Sequence, residues 1–486
     1  MGILILLKGF PDPKDYQISV ASLHLLLLLY SFDSMKKPIL DRRLSTALIL
    51  ITLGVVVFLY IWGAQRHSRT LNTDPQQWDQ ASYLHKAIEM RQTGYQALGN
   101  RNQMPLYSVL MSVFYSSKTN PEGFFQTGKT INIVLSLFLL GFVFLLLRRH
   151  FPLFDSINLI LISAFTVFIF KAPYFQCELL FYFLNFLAFI LMIQTLRFPS
   201  FSNAMLTGVV GGFAHLTKGS ILPGFLIFVG FLLASGALTI KHKIHKNRTA
   251  LKNPKTFSPV LVGLLSLFAF LIILFPYLHT SKKIFGQYFY NANSTHAMWH
   301  DNWGQAKPYM SLYTNPKIKE IPQENLPGPI NYLKTHSVGQ ICHRLGFGAL
   351  EMILVAMLST GYFEYMIGYL LFFIILALIY RKKLISEFKK QKSLFAFLTS
   401  YFLGYFLLFS FYVPVAPGPR FSLSLFLPYM FTLTAGILIL AQGKKFSFRG
   451  KSYNLIRCFN IFVFLVVTLD AFNVLSWKLL KYYGGG

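Results

Sequence analysis

The first residues that could do chemistry are two aspartates, Asp74 and Asp79, in a polar stretch at 72–107. This stretch is the first long polar interruption in a very apolar sequence, and it follows a segment at 45–62 that could cross a bilayer. An Arg, Asn and Gln cluster begins at Arg101, shortly before Pro105. A carboxylate held just outside a membrane, beside basic and amide side chains, suits proton transfer during a reaction on a lipid-borne phosphate.

The composition is that of a membrane protein. Of 486 residues, 54% are hydrophobic and only 13% are charged, whereas soluble domains usually carry about 25% charged residues. Apolar stretches of about 20 residues recur, which is the length a helix needs to cross the hydrocarbon core. Because backbone polar groups in lipid must be hydrogen-bonded internally, we predict an all-α polytopic membrane protein with about 11 transmembrane helices.

The formal net charge of +28 is explained by basic loops between the predicted spans, so no nucleic-acid partner is predicted. Alternating orientation places the richest basic loops, 241–255, 381–392 and 444–457, on the inner side, as the positive-inside rule requires. Two long polar segments, 63–123 and 280–360, then lie outside. The predicted spans are approximately 45–62, 124–147, 153–170, 179–196, 203–216, 220–240, 257–279, 361–380, 394–411, 422–441 and 455–476.

Parts of the outer segments, 78–90 and 342–358, are too polar to span and too apolar for water, which predicts helices in the membrane interface. Residues 35–482 are predicted to form one transmembrane domain. Residues 1–34 contain a Leu run that is short for a span. Two interpretations fit this segment, a leader or an interfacial segment. Residues 483–486 resemble a short artificial tail.

The three cysteines, Cys177, Cys342 and Cys458, lie far apart and have no paired spacing. Neither a disulfide framework nor a zinc motif is therefore predicted. Free cysteines are among the most buried residue types, so we expect buried thiols.

Several short motifs together resemble the GT-C glycosyltransferases. DQASY at 79–83, ahead of MPLY at 104–107, resembles the first outer loop of the branch typified by dolichyl-phosphate-mannose–protein mannosyltransferases and bacterial aminoarabinose transferases. Three further segments match that pattern in order: ELL at 178–180, GFAHLTKG at 212–219 and PRF at 419–421. The resemblance covers roughly residues 40–440.

The resemblance implies a polyprenyl-phosphate sugar donor, transfer on the outer face and inversion at the anomeric carbon. An acceptor hydroxyl must lose its proton as the sugar gains oxocarbenium character, and one carboxylate can take it. The anionic lipid phosphate that leaves needs Lys, Arg or a metal beside it. The expected partners are the lipid-linked donor, membrane lipids and an unidentified acceptor, which could be a lipid, a glycan or a protein. The expected location is a bacterial inner membrane, with the site facing the periplasm.

Asp79 is the predicted general base, and the alternative is that it caps the helix that follows it. Glu178 and Lys218 are candidate substrate or phosphate contacts, because Glu178 opens an apolar span and Lys218 lies in a very short outer turn. For Glu178 the alternative is an ordinary solvated acid, and for Lys218 it is snorkelling to the interface. Arg101 and Arg420 are similar candidates, with ordinary loop charge as the alternative.

Asp74, Tyr83 and Trp299 complete the predicted substrate-binding set. Asp74 precedes Pro75, so a role in a turn is favoured over substrate binding. Trp299 lies in an outer segment rich in His and Trp, and packing in the interface or stacking on a sugar are both open for it.

Relatives that use a divalent metal draw one ligand from an outer-loop His and another from an acid just before the Pro-Leu-Tyr segment. This implies Mg²⁺ or Mn²⁺ as a cofactor, with His296 and His300 as candidate ligands. The acid is missing here, because the equivalent stretch, 101–104, reads RNQM. That departure weakens the metal prediction and keeps open a family member that only binds lipid.

The alternative class of function is a polytopic transporter or a flippase for lipid-linked sugars. A transporter is expected to carry ionisable groups or broken helices near the bilayer midplane, often with internal repeats. Here most acids lie at the outer boundaries of predicted spans, and the sequence shows no two-fold internal repeat. It also contains no phosphate-cradling Gly-rich loop, which fits a lipid-linked donor. We therefore predict an integral-membrane glycosyltransferase.

Overall fold

A computed structural model describes residues 39–77, 79–95, 101–245 and 258–481. The predicted leader at 1–34, the tail at 483–486 and most of the basic loop at 241–255 lie outside the described residues. The described chain is mostly helical, as its recurring apolar stretches predicted.

Sixteen helices of seven or more residues are numbered here in chain order within the described ranges. They are α1 Ile39–Thr70, α2 Asp79–Gln92, α3 Leu106–Ser112, α4 Pro121–Arg148, α5 Leu153–Lys171, α6 Glu178–Arg197, α7 Phe201–Thr217, α8 Leu222–His245, α9 Pro259–Phe285, α10 Pro329–Thr335, α11 Val338–Met357, α12 Tyr362–Ile379, α13 Arg381–Lys390, α14 Lys392–Tyr412, α15 Arg420–Ala441 and α16 Leu455–Lys481. Short helical turns fill much of 292–325.

Ten helices in the described ranges are long and apolar enough to cross a membrane. Nine of them coincide with predicted spans, and the tenth is α11, where we predicted an interfacial helix. The two other predicted spans fall on α1 and on α7, which has only 17 residues. The chain is therefore an all-α polytopic membrane protein. The orientation of α11 in the membrane stays a prediction.

Helices α5, α6 and α15 form the centre of the bundle, since most residues of their apolar windows are buried. Asn185 of α6 donates to the Ser424 carbonyl of α15 at 2.8 Å, so a polar side chain in the apolar core has a partner. Helices α7 and α9 approach so closely that a Cβ on Gly208 would lie 2.2 Å from the Ser266 carbonyl oxygen. Small residues of this kind let membrane helices pack backbone to backbone.

One end of the bundle is covered by what we call the cap, which consists of the described parts of 71–120 together with 286–337. Asn293 Nδ2 donates to Asn102 Oδ1 at 2.8 Å and joins the two cap segments. Arg344 of α11 donates to the Met298 carbonyl and to the Phe411 carbonyl, both at 2.9 Å. The cap is thereby held against the end of α14.

The opposite end of the bundle carries two of the basic segments that we predicted to share one side. Helix α13 occupies one of them, and Lys383 Nζ donates to the Leu440 carbonyl at the end of α15. The other forms a hairpin in which β1, Lys445–Phe448, pairs antiparallel with β2, Lys451–Asn454. These strands were not predicted from the sequence.

The prediction of buried cysteines was wrong for two of the three. Cys177 is buried, whereas Cys342 is exposed and Cys458 is half-buried. Both exceptions lie on helices at the periphery of the bundle, α11 and α16, much of whose surface is uncovered. In a membrane, apolar and weakly polar side chains can face lipid, so the burial expected of soluble proteins does not apply there.

Candidate functional site

Five charged side chains from different parts of the chain meet at the cap end of the bundle. Asp79 Oδ2 accepts from Arg420 Nη1 at 3.0 Å. Glu178 Oε1 lies 3.2 Å from Lys218 Nζ. Lys171, the last residue of α5, interacts electrostatically with all four of these groups. We call these five residues the charge cluster.

Each member of the cluster lies at the end of a helix. Asp79 and Glu178 begin α2 and α6, where the positive end of the helix dipole favours a carboxylate. Lys171 ends α5 and Lys218 caps the end of α7, where the dipole favours a cation. Arg420 is a cation at the start of α15, where the helix dipole disfavours positive charge. The neighbouring carboxylate of Asp79 offsets this unfavourable interaction.

The cluster contains both buried and accessible charges. The side chain of Glu178 is 5% exposed and Lys171 is 3% exposed, whereas Asp79 is 41% exposed. Buried Glu178 Oε2 and Arg420 Nε have no hydrogen-bond partner. Three cations and two carboxylates leave a formal charge of +1, so the cluster suits an additional anionic group.

A buried amide network fixes Asp79 in place. The neighbouring Gln80 exchanges two hydrogen bonds with Asn72, at 2.8 and 2.7 Å, and accepts from the Phe175 backbone N–H at 2.9 Å. Asn72 also donates to the Pro173 carbonyl at 2.7 Å. The start of α2 is thereby attached to the connection between α5 and α6.

Tyr83, a predicted substrate contact, lies beside the cluster, and its role towards a substrate stays a prediction. Its buried hydroxyl lies 2.9 Å from the Cys177 sulfur, one residue before Glu178. Burial raises the pKa of the Tyr83 hydroxyl well above its ordinary value, so this group stays protonated. The ring packs edge-on against Tyr107.

Asp74 and Arg101 are engaged outside these ion pairs. Asp74 is exposed, and its Oδ1 accepts from the Gln76 backbone N–H at 2.8 Å, which is the turn role that its position before Pro75 favoured. Arg101 is fully buried with a φ of 59°, and its Nη2 donates to Thr280 Oγ1 at 2.5 Å. Its guanidinium lies 4.2 Å from the centre of the Tyr277 ring, so its contacts join the first cap segment to α9.

Lys86, which the sequence analysis did not single out, is buried beside Arg101. Its ammonium donates to the Gln103 carbonyl at 2.7 Å. Burial, together with the charge of Arg101, lowers the pKa of Lys86 to about 7. Lys86 thus joins α2 to the segment that precedes α3.

The predicted metal ligands have other partners. His296 Nδ1 lies 2.8 Å from the Pro327 carbonyl, and His300 Nε2 lies 2.8 Å from the Tyr313 hydroxyl. Across the described ranges, no group of three or more His, Cys, Asp or Glu side chains is arranged to hold a metal ion. The buried Nε2 of His296 has no hydrogen-bond partner, but without such a group of ligands these residues do not fit the metal that the resemblance implied.

Trp299 packs within the cap. Its Nε1 donates to the Ser294 carbonyl at 3.3 Å, and its ring centre lies 5.4 Å from that of Phe411 at the end of α14. Packing was one of the two roles predicted for Trp299, and stacking on a sugar was the other.

Two further residues of this region were missed by sequence reasoning. Lys171 directly follows the predicted span at 153–170, so the signal that singled out Glu178, a charge at the mouth of an apolar span, applies to it as well. Tyr182 follows Glu178 by four residues, on the same helix face, and its buried hydroxyl has no hydrogen-bond partner. That spacing could have identified Tyr182 as a neighbour of the cluster.

Comparison with known proteins adds no assignment to this geometry. No family model matches the chain, and no curated protein or solved structure matches it either. The function must therefore be inferred from the charge cluster and the membrane helices around it.

Proposed function

We propose that the protein is an integral-membrane glycosyltransferase that moves a sugar from a polyprenyl-phosphate donor to an acceptor outside the membrane. The observation that carries this proposal is the meeting of Asp79 with Arg420, and of Glu178 with Lys218, at one end of the bundle. An accessible carboxylate beside surplus positive charge suits both halves of the reaction. The carboxylate takes a proton, and the cations bind the phosphate.

In the proposed reaction the acceptor oxygen bonds to the anomeric carbon while the bond from that carbon to the donor phosphate oxygen breaks. The electron pair of the broken bond leaves with the lipid phosphate, and the proton of the acceptor hydroxyl goes to Asp79. Attack opposite the leaving group inverts the anomeric centre. Because Arg420 contacts Oδ2 of Asp79, Oδ1 is the atom proposed to receive the proton.

Arg420 and Lys218 are proposed to bind the departing phosphate. Both side chains are about one-quarter exposed, and Arg420 Nε has no partner. Charge-assisted hydrogen bonds from such groups stabilise negative charge that develops on the leaving oxygen. Glu178 holds Lys218 in place, and Lys171 offsets the buried charge of Glu178.

The orientation proposed with this function puts the cap outside the membrane and α13 and the β-hairpin inside. The basic composition of α13 and of the hairpin supports it through the positive-inside rule. In a bacterial inner membrane the charge cluster would then face the periplasm, where a lipid-linked donor is available and a nucleotide sugar is not.

Lipid extraction from the purified protein tests the proposal. We expect mass spectrometry to find a polyprenyl phosphate, free or sugar-linked, and at least tenfold less of it with Arg420→Gln, because the phosphate loses a charge-assisted partner. Lys307→Gln removes an exposed cation from the cap, outside the cluster, and serves as the matched control. Absence of polyprenyl phosphate from the wild-type protein, or equal amounts in Arg420→Gln, would contradict the proposal.

A further inference from the structure

The cap contains a cavity whose lining shares no residue with the charge cluster. It has a volume of about 580 Å³ and lies within 300–327 of the second cap segment. Small-molecule sites in proteins commonly measure about 300–1,000 Å³. The space is therefore large enough for a small ligand.

The lining of this cavity is electrically neutral. Among the described residues that line it, none is Asp, Glu, Lys or Arg, although the second cap segment, 286–337, carries four lysines and three acids. His300 brings the one imidazole in the lining, and burial lowers the pKa of that imidazole. A neutral lining in a protein with a charge of +28 disfavours phosphate-bearing and other charged ligands.

Aromatic faces and amides supply most of the specific chemistry in the cavity. The rings of His300 and Tyr309 are stacked with centres 5.7 Å apart, and those of Tyr309 and Tyr313 are stacked at 6.2 Å. Gln305 and Asn325 bring carboxamides, which donate and accept hydrogen bonds. A pyranose presents an apolar C–H face and a rim of hydroxyls, so aromatic rings and amides match both of its surfaces.

The cavity belongs to a part of the cap that packs beside the charge cluster. Tyr313, in its wall, is in the same buried core as Val415, which follows α14. Tyr412, at the end of α14, packs edge-on against Phe421. It also interacts electrostatically with both Arg420 and Asp79. The wall of the cavity and the charge cluster are thus joined through one short stretch of chain.

We propose that this cavity binds a neutral saccharide and that, given the glycosyltransferase function proposed above, this saccharide is part of the acceptor. The Tyr309 ring would stack on the sugar face, and Gln305 and Asn325 would bind its hydroxyls. This assigns the acceptor to the glycans or glycolipids rather than to unmodified protein or plain lipid.

Saccharide binding can be measured without any sugar transfer. The probes are methyl hexopyranosides and linear neutral trisaccharides, tested by saturation-transfer NMR on the purified protein in detergent. We expect binding of at least one probe and about a fivefold weaker affinity with Tyr309→Ala, because the stacking contact is lost. Tyr309→Phe should bind as the wild type does. Tyr288→Ala, which removes an exposed cap tyrosine that does not line the cavity, should also be without effect.

Two results would overturn the proposal. One is a wild-type protein that binds none of the saccharides, or that binds an uncharged tyrosine- and proline-containing peptide in their place. The other is an affinity that Tyr309→Ala leaves unchanged or that Tyr288→Ala lowers equally. Saccharide binding should persist in Asp79→Asn, so failure of the transfer function and failure of this site are separate observations.

Discussion

Asp79→Asn is expected to lower the rate of sugar transfer by about 10²- to 10⁴-fold, the usual contribution of a general base. The amide has nearly the shape of the carboxylate and can still accept a hydrogen bond from Arg420, so the fold should be kept. It cannot take the acceptor proton, because a neutral amide is a very weak base. The measurement is transfer of labelled sugar from polyprenyl-phosphate hexoses in vesicles that contain total membrane acceptors.

Asp74→Asn is the matched control for this experiment. Asp74 precedes Asp79 by five residues, is exposed and accepts a backbone hydrogen bond in a turn. The same isosteric change there should leave the transfer rate within about twofold of the wild type, because the turn geometry survives with an amide oxygen. Transfer that is unaffected by Asp79→Asn would remove Asp79 from the reaction, and transport without transfer would favour the transporter alternative.

Lys218→Met is expected to cause the largest loss of stability among changes to the cluster. It leaves the carboxylate of Glu178, which is 5% exposed, without its closest cation. Removing one partner of a buried ion pair typically costs about 3–5 kcal/mol. We expect about 3 kcal/mol, since Lys218 is itself 22% exposed and solvent screens part of the interaction.

The double variant Glu178→Gln with Lys218→Met tests the cause of that loss. It removes the under-compensated carboxylate together with Lys218, so thermal unfolding in detergent should recover part of the lost stability. Recovery stays incomplete because buried Lys171 then loses the charge of Glu178. Equal destabilisation in the single and double variants would mean that Lys218 acts through packing against Phe181 rather than through the ion pair.

The sequence was sufficient to predict most of the helices that could span a membrane and several members of the charge cluster. An apolar stretch of about 20 residues has the length that a helix needs to cross the hydrocarbon core. Nine predicted spans accordingly fall on helices that could cross a membrane. Glu178 and Arg420 were identifiable because a charge at the mouth of an apolar span is costly without a partner. The partner of each residue could not be predicted from the sequence, because contacting residues can lie far apart in the chain. Asp79 and Arg420, for example, are 341 residues apart.

Arg101 shows the limit of such reasoning. In the sequence it resembles Arg420, since both are arginines next to polar loops outside a span. In the structure Arg420 contacts a carboxylate, whereas Arg101 packs on Tyr277. That difference depends on where α9 lies relative to the first cap segment, which is a tertiary arrangement with no local signature.

Helix α11 and the cap histidines illustrate two further limits. Helix α11 is amphipathic and borderline in hydropathy, so its pattern suits both an interfacial helix and a span. The cap histidines suggested a metal by their spacing, but a ring nitrogen of each has a carbonyl or hydroxyl partner. Spacing along the chain does not determine which groups contact an imidazole.

The side of the membrane on which Asp79 lies is the most direct test of the account. Asp74→Cys places a thiol in the exposed turn beside it, and Cys342→Ser with Cys458→Ser removes the two cysteines that are not buried. We predict that a membrane-impermeant maleimide labels this protein in intact cells stripped of any outer membrane. Ser447→Cys, in the hairpin at the opposite end, should be labelled only after the membrane is permeabilised. Labelling in the reverse pattern would put the charge cluster on the cytoplasmic side and contradict the proposed reaction.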